Sequence, residues 1–253
     1  MARPSTRRDF LKGAATTGVA ALQHRFLHRQ RPGRKSPNIL FIYTDDQGPW
    51  TLGFSGHPQA HTPHMNRLFQ EGAYLMNSFV TTPVCSPSRA GLLVSRYSTE
   101  VGITDYLSPE VEGHLGLAPS FTTWAELLAR AGYFTGLIGK WHLGEQAEFH
   151  PTKAGFQYFV GFLRGGVAVN DPTLQVEGAP KAHQGLTDNI LTEYATEFLR
   201  RHKKDPFLLC VHYRSPHAPW LPVADEDWAP YAHLDPIIPN PDYPNLDVAR
   251  VKQ

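Results

Sequence analysis

The chain has 253 residues, 41% hydrophobic and 19% charged, enough to bury one large core or two small ones, with no disorder-like or low-complexity composition. Nine of its 24 Lys and Arg but only one of its 23 acids fall within residues 1–35, which leaves 15 basic against 22 acidic residues downstream, a balance of −7. An acidic body argues against nucleic acid as a partner, and two cysteines are too few for a disulfide framework.

The basic arm opens with Ser5-Thr6-Arg7-Arg8-Asp9-Phe10-Leu11-Lys12, which resembles the twin-arginine export signal, and runs into the weakly apolar stretch Gly13 to Leu22. Ten such residues cannot span a bilayer. A basic start followed by an apolar stretch is the order of an export signal; the plainer reading is a basic N-terminal tail. The resemblance implies the twin-arginine export machinery as a partner and a periplasmic or extracellular destination. Residues 1–36 are expected to be signal and basic linker, and 37–253 the folded part.

Asn38 to Thr44 is a continuous apolar run with β-branched and aromatic residues, the pattern of a strand buried on both faces, and it ends in Asp45-Asp46. A helix fits Pro63 to Glu71, with Gly72 as its stop. Thr123 and Glu126 form a capping box that opens a short helix closed by Gly132. A second apolar run, Tyr133 to Gly139, ends in Lys140-Trp141-His142. Thr187 to His202 carries Ile190, Leu191, Tyr194, Ala195, Phe198 and Leu199 on one face at helical spacing. The third run, Phe207 to Tyr213, contains Cys210 as a core residue and ends in Arg214-Ser215-Pro216-His217. Strands alternating with helices predict an α/β sandwich around a largely parallel sheet.

In such sheets ligands bind outside the carboxyl ends of the strands. Asp45, Asp46, Lys140, His142 and His217 all sit at or just past such ends, so residues far apart in sequence are expected to share one site. Taken singly, each has an ordinary reading: a carboxylate pair caps helices, and a loop lysine or histidine is usually solvated.

The segment Cys85-Ser86-Pro87-Ser88-Arg89-Ala90-Gly91-Leu92-Leu93-Val94-Ser95-Arg96 adds the C-x-P-S-R pattern. On its own, Cys85 is readable as a small buried hydrophobe. A cysteine-dependent phosphatase needs an arginine six residues on, where this chain has Gly91. The pattern resembles the signature of the type I sulfatases, with Gly161 to Gly166 similar to an arylsulfatase-like subgroup, and the similarity extends from residue 37 to the last residue. Asn38 to Asp46, Thr62 to Leu68, the Cys85 segment, Gly139 to Gly144 and Ser215 to Pro219 are similar to five family blocks in the family's order.

The resemblance implies an alkaline-phosphatase-like sandwich with a central, largely parallel (mixed) sheet. It implies that a formylglycine-generating enzyme, reading Pro87 and Arg89, oxidises Cys85 to formylglycine. The aldehyde hydrate would then attack the sulfur of a small-molecule or carbohydrate sulfate ester, expel the alcohol and release sulfate as the carbonyl reforms. Asp45 and Asp46, with the modified Cys85, would hold Ca²⁺, with Mg²⁺ as the alternative. Arg89 and Lys140 would supply fixed positive charge. His142 would serve proton transfer, and His217 would assist the leaving group or hold the sulfate.

Two departures stand out. Leu93-Val94-Ser95-Arg96 replaces the family's usual Leu-Thr-Gly-Arg. A later Asp-Asn or Asp-His metal pair and a further lysine do not occur before Gln253, so a truncated domain is expected, with Asp247 to Gln253 reading as the start of a helix. The other readings are a phosphonate or phosphate monoester hydrolase on the same scaffold, and an inactive remnant.

Overall fold

The computed structural model describes residues 36–235 and residue 237. The expected signal, most of the basic linker and the helix start at 247–253 lie outside the described residues. Among the described residues six strands form one sheet: β1 (Ile39–Tyr43), β2 (Phe134–Lys140), β3 (Tyr158–Phe162), β4 (Thr173–Val176), β5 (Ala179–Ala182) and β6 (Phe207–His212), in the order β1-β6-β2-β3-β4-β5. The first four in that order run parallel, while β4 and β5 are antiparallel additions, so the sheet is mixed as expected. Ile39 to Tyr43 pair with Leu208 to His212, and Gly139 pairs with His212. Tyr43 and His212, the last residues of β1 and β6, therefore share one rung with Gly139, the residue before the end of β2.

The helices are α1 (Pro63–Glu71), α2 (Cys85–Val94), α3 (Ser98–Val101), α4 (Pro109–Glu112), α5 (Trp124–Arg130), α6 (Thr187–His202) and α7 (Asp225–Trp228). On one face of the sheet Ala90 and Leu93 of α2 and Ala125 of α5 pack with Leu137, Leu208 and Cys210. On the other, Ile190, Leu191, Ala195 and Phe198 of α6 pack with Ile138, Val160, Leu209 and Val211. Alternate residues of β2 and β6 thus serve opposite cores, which is why both strands read as unbroken apolar runs. No helix among the described residues is long and apolar enough to cross a membrane.

The expectation for β1 needs correction. Its burial alternates: Ile39 and Phe41 join the α2 and α5 face, whereas Leu40 is 47% and Ile42 52% exposed. The cause is topological, because β1 is the outer strand among the described residues and α6 lies over β2, β3 and β6.

The capping box at α5 is half made. Thr123 Oγ1 accepts from the Glu126 amide at 3.1 Å, but the Glu126 carboxylate turns forward to Arg130 at 3.3 Å. The Thr123 hydroxyl is spent on the Ala154 carbonyl at 2.7 Å, which anchors the helix start to the core.

Helix α2 is held by packing. Its first residue is Cys85, the preceding Val84 offers no side-chain cap, and Pro87 and Gly91 lie within it. It ends where Ser95 takes the left-handed conformation (φ +54) and donates its amide to the Gly91 carbonyl. Glycine is the residue for that cap, so this departure from the family pattern falls where a side chain costs most.

Candidate functional site

The site is built where β1, β2 and β6 end under α2. Asp45, two residues past β1, is buried, and its amide donates to the Ser215 carbonyl at 3.1 Å, tying the loops after β1 and β6 together. Lys140 is the last residue of β2 and completely buried; its Nζ lies 2.6 Å from Asp45 Oδ2. Arg89 projects from α2, 2% exposed, with Nη2 3.7 Å from Asp45 Oδ1. Its Nη1 donates to the Lys140 carbonyl at 3.0 Å and faces His212 Nδ1 at 3.2 Å, while the guanidinium stacks over the Tyr43 ring at 5.1 Å. The Tyr43 hydroxyl meets Ser88 Oγ at 2.9 Å, fixing α2 to the end of β1.

Two buried cations thus share one buried carboxylate. Burial pulls both Lys140 and Arg89 below their ordinary pKa, and Asp45 opposes the pull in each case. A third cation, Arg214, is also buried, its pKa lowered by burial against the attraction of Asp188 and Asp45. The charges of Arg89 and Lys140 also reach Cys85, half-buried at the first turn of α2.

His142 sits two residues past Lys140 in a left-handed conformation (φ +57), its amide bonded to the Leu163 carbonyl at 3.0 Å. Its Nε2 lies 3.0 Å from the Leu107 carbonyl, so the ring proton sits there and Nδ1 is left as an acceptor, buried and without a partner. The Leu107 amide in turn donates to Ser86 Oγ at 3.0 Å, linking His142 to the residue after Cys85. Burial, then the Lys140 charge, holds His142 at a pKa of about 4, so the ring is neutral at neutral pH.

Asp45, Arg89, Lys140, His142 and Cys85 therefore come together at one end of the sheet. Asp46 is exposed in a left-handed conformation (φ +62) beside them in sequence. His217 is half-buried in the loop after β6, with Nδ1 2.7 Å from the Ala218 carbonyl. Its described contacts do not reach the Arg89 and Lys140 cluster.

The sequence reading missed His212, Arg214 and Tyr43. His212 is held neutral, with a pKa of about 3, by burial and then by Arg89. A histidine and an arginine at the end of a run otherwise as apolar as Phe207 to Val211 were the available signal.

As cation ligands, Asp45 and Asp46 have the right chemistry, hard carboxylate oxygens. Among the described residues, however, no group of three or more His, Cys, Asp or Glu is placed to hold a metal ion, and both oxygens of Asp45 face cationic side chains. The two carboxylates fit as part of a ligand set and do not complete one.

The protein-family model described as Sulfatase matches residues 37–238. Human N-acetylgalactosamine-6-sulfatase is 40% identical over 133 residues, which cover 49% of this chain and 25% of that protein. The N-acetylglucosamine-6-O-sulfatase of Bacteroides thetaiotaomicron is 32% identical over 198 residues, 77% of this chain and 33% of the relative. The crystal structure of Ps i-CgsB superposes with a TM-score of 0.73 at 30% identity, covering 77% of this chain and 48% of the other. BT4656, solved with D-glucosamine-2-N,6-O-disulfate, gives 0.65 at 32% identity, covering 75% and 36%. The chain spans a quarter to a third of the length of these curated relatives.

Proposed function

The chain belongs to the sulfatase family, and from that premise we propose that it carries the nucleophile of a sulfuric ester hydrolase acting on carbohydrate sulfate esters. The observation that carries the reading is the charge imbalance at the strand ends. Arg89 and Lys140 share Asp45, which leaves one buried positive charge to be met by an anion next to Cys85. A sulfate ester supplies that anion, and fixed cations stabilise the charge that develops as the S–O bond breaks. The carbohydrate class is supported by those similar proteins that are sugar 6-sulfatases by name and by the one solved with a sulfated glucosamine, although steryl-sulfatase and arylsulfatase A are also among the similar proteins.

Converted to formylglycine, Cys85 supplies a hydrated aldehyde as the nucleophile for sulfur. Ca²⁺, or Mg²⁺, held by Asp45, Asp46 and further oxygen ligands, supplies Lewis-acid polarisation when bound. Within the chain, His142 is kept neutral and oriented by the Leu107 carbonyl, so Nδ1 is free to accept a proton. With Nδ1 of His217 facing Ala218, its Nε2 is left to serve the leaving group or the sulfate. Residues 1–36 are proposed to direct export by the twin-arginine route, so that an already modified and folded protein is moved.

The test is co-expression with a formylglycine-generating enzyme, followed by mass spectrometry of the peptide containing Cys85 and assay of sulfate release from a hexose 6-sulfate. The side chain CH₂SH should be replaced by CHO, and Cys85→Ala should remove any sulfate release. A peptide that stays wholly in the thiol form would refute the proposed nucleophile.

A further inference from the structure

A recess opens beside His142, lined by Leu107, Ser108, Leu115, Leu163, Glu145 and Arg164. It lies among the loop that follows α2 and α3 and the loops after β2 and β3, with His142 in its wall. Its wall carries an unspent acceptor. Glu145 Oε2 takes Arg164 Nε at 2.8 Å, while Glu145 Oε1 is buried and has no hydrogen-bond partner. A buried oxygen without a donor costs about 1–3 kcal/mol, more when charged, and in binding sites such atoms are what ligand hydroxyls satisfy. Arg164 is 61% exposed in its side chain, so its remaining N–H groups stay available as donors. The pair thus presents a fixed carboxylate acceptor and a guanidinium donor side by side, which matches two neighbouring hydroxyls of a sugar ring and nothing on an aryl group.

We propose that Glu145 and Arg164 form the subsite that selects hydroxyl-bearing, carbohydrate leaving groups over aryl ones, with Glu145 Oε1 accepting from one ring hydroxyl and Arg164 donating to another. The assignment rests on the sulfatase reading, because it places the sugar by the sulfate site. His142 is not part of the selection, since its Nδ1 belongs to proton transfer; its place in the lining puts the recess next to that proposed proton-transfer group.

The test compares two probes on the full chain by titration calorimetry with Ca²⁺ present, galactose 6-sulfate and phenyl sulfate. Both carry the sulfate, and only the first carries ring hydroxyls. Replacing a charge-assisted hydrogen bond by a neutral one in Glu145→Gln is expected to lower the affinity ratio, hexose sulfate over phenyl sulfate, by about tenfold. Arg164→Gln should lower it in the same direction, and it serves the test even if Glu145→Gln folds poorly by circular dichroism. An unchanged ratio in the folded variants, or a wild-type chain that binds phenyl sulfate and not the sugar, overturns the subsite alone. A wild-type chain that binds neither sulfate overturns the sulfate reading, and the subsite falls with it.

Discussion

Removing the carboxylate of Asp45 should be far more damaging than removing either cation it serves. Asp45 faces Lys140 Nζ at 2.6 Å and Arg89 Nη2 at 3.7 Å, and all three side chains are almost wholly buried. Asp45→Asn keeps the shape and leaves two cations without a counter-ion, and an uncompensated buried charge costs about 3–5 kcal/mol. For a domain of this size each kcal/mol lowers Tm by roughly 2–4 °C, so a fall of about 10 °C is expected. Lys140→Met, by contrast, leaves Asp45 matched to Arg89, keeps most of the buried stem, and should cost about half as much or less. The double variant should be more stable than Asp45→Asn alone, because it buries one stranded cation instead of two, giving a coupling of about 0.5–3 kcal/mol. Urea unfolding followed by tryptophan fluorescence measures all three. A Lys140→Met variant as unstable as Asp45→Asn would refute the picture of one anion shared between two cations.

Burial holds His142 at about 4 and His212 at about 3, both below the ordinary 6.5, so between these values the unfolded chain binds protons that the folded chain refuses. Stability is therefore complete above about pH 6.5 and falls as pH drops toward 4, at up to about 1.4 kcal/mol per pH unit for each ring. His142→Gln should flatten that limb of a stability-versus-pH curve, and an unaltered slope counts against the burial argument. Ser95→Gly should raise stability by about 1 kcal/mol by relieving the left-handed cap of α2; a lower urea midpoint would mean that the Ser95 side chain contributes more than its strain. Replacing Arg7 and Arg8 together with lysine keeps the charge and loses the guanidinium geometry, so the protein should accumulate in the cytoplasm. Undiminished periplasmic yield would exclude the twin-arginine route.

The parts of the fold that were legible in the sequence are those where burial writes a period. Pro63–Glu71 and Thr187–His202 are helices with the expected bounds, and β2 and β6 are the unbroken apolar strands they resemble. β1 has the same apolar look, but composition cannot say whether a helix covers its second face, and Leu40 and Ile42 are exposed. α2 was recognisable as a motif and not as a helix, since Pro87 and Gly91 argue against one and burial of Ala90 and Leu93 overrides them. The β4 and β5 hairpin escaped notice although Glu177 and Gly178, both at positive φ, form its two-residue turn; glutamate in place of asparagine or aspartate hid the usual signal. Cys85, Arg89, Lys140, His142 and Asp45 were named from motif and strand-end position, whereas His212 and Arg214 were masked by the apolar run before them. Only a three-dimensional view shows that His212 shares a rung with Tyr43 and Gly139 beneath Arg89.

The burial of Arg89 also sets a clock. Its partner His212 lies 123 residues further along the chain, and the carbonyl it binds belongs to Lys140. A ribosome adding about 5–20 residues per second needs roughly ten seconds to cover that distance. During that interval the part of the floor of α2 that β6 supplies, Leu208 and Cys210, is missing, and Pro87 and Arg89 are more open to any enzyme that must read their side chains. Once β6 is in place both are enclosed. If Cys85 is modified by such a reader, the step is therefore expected on the nascent or unfolded chain, where conditions that speed folding past it would lower the modified fraction without changing a residue of the motif.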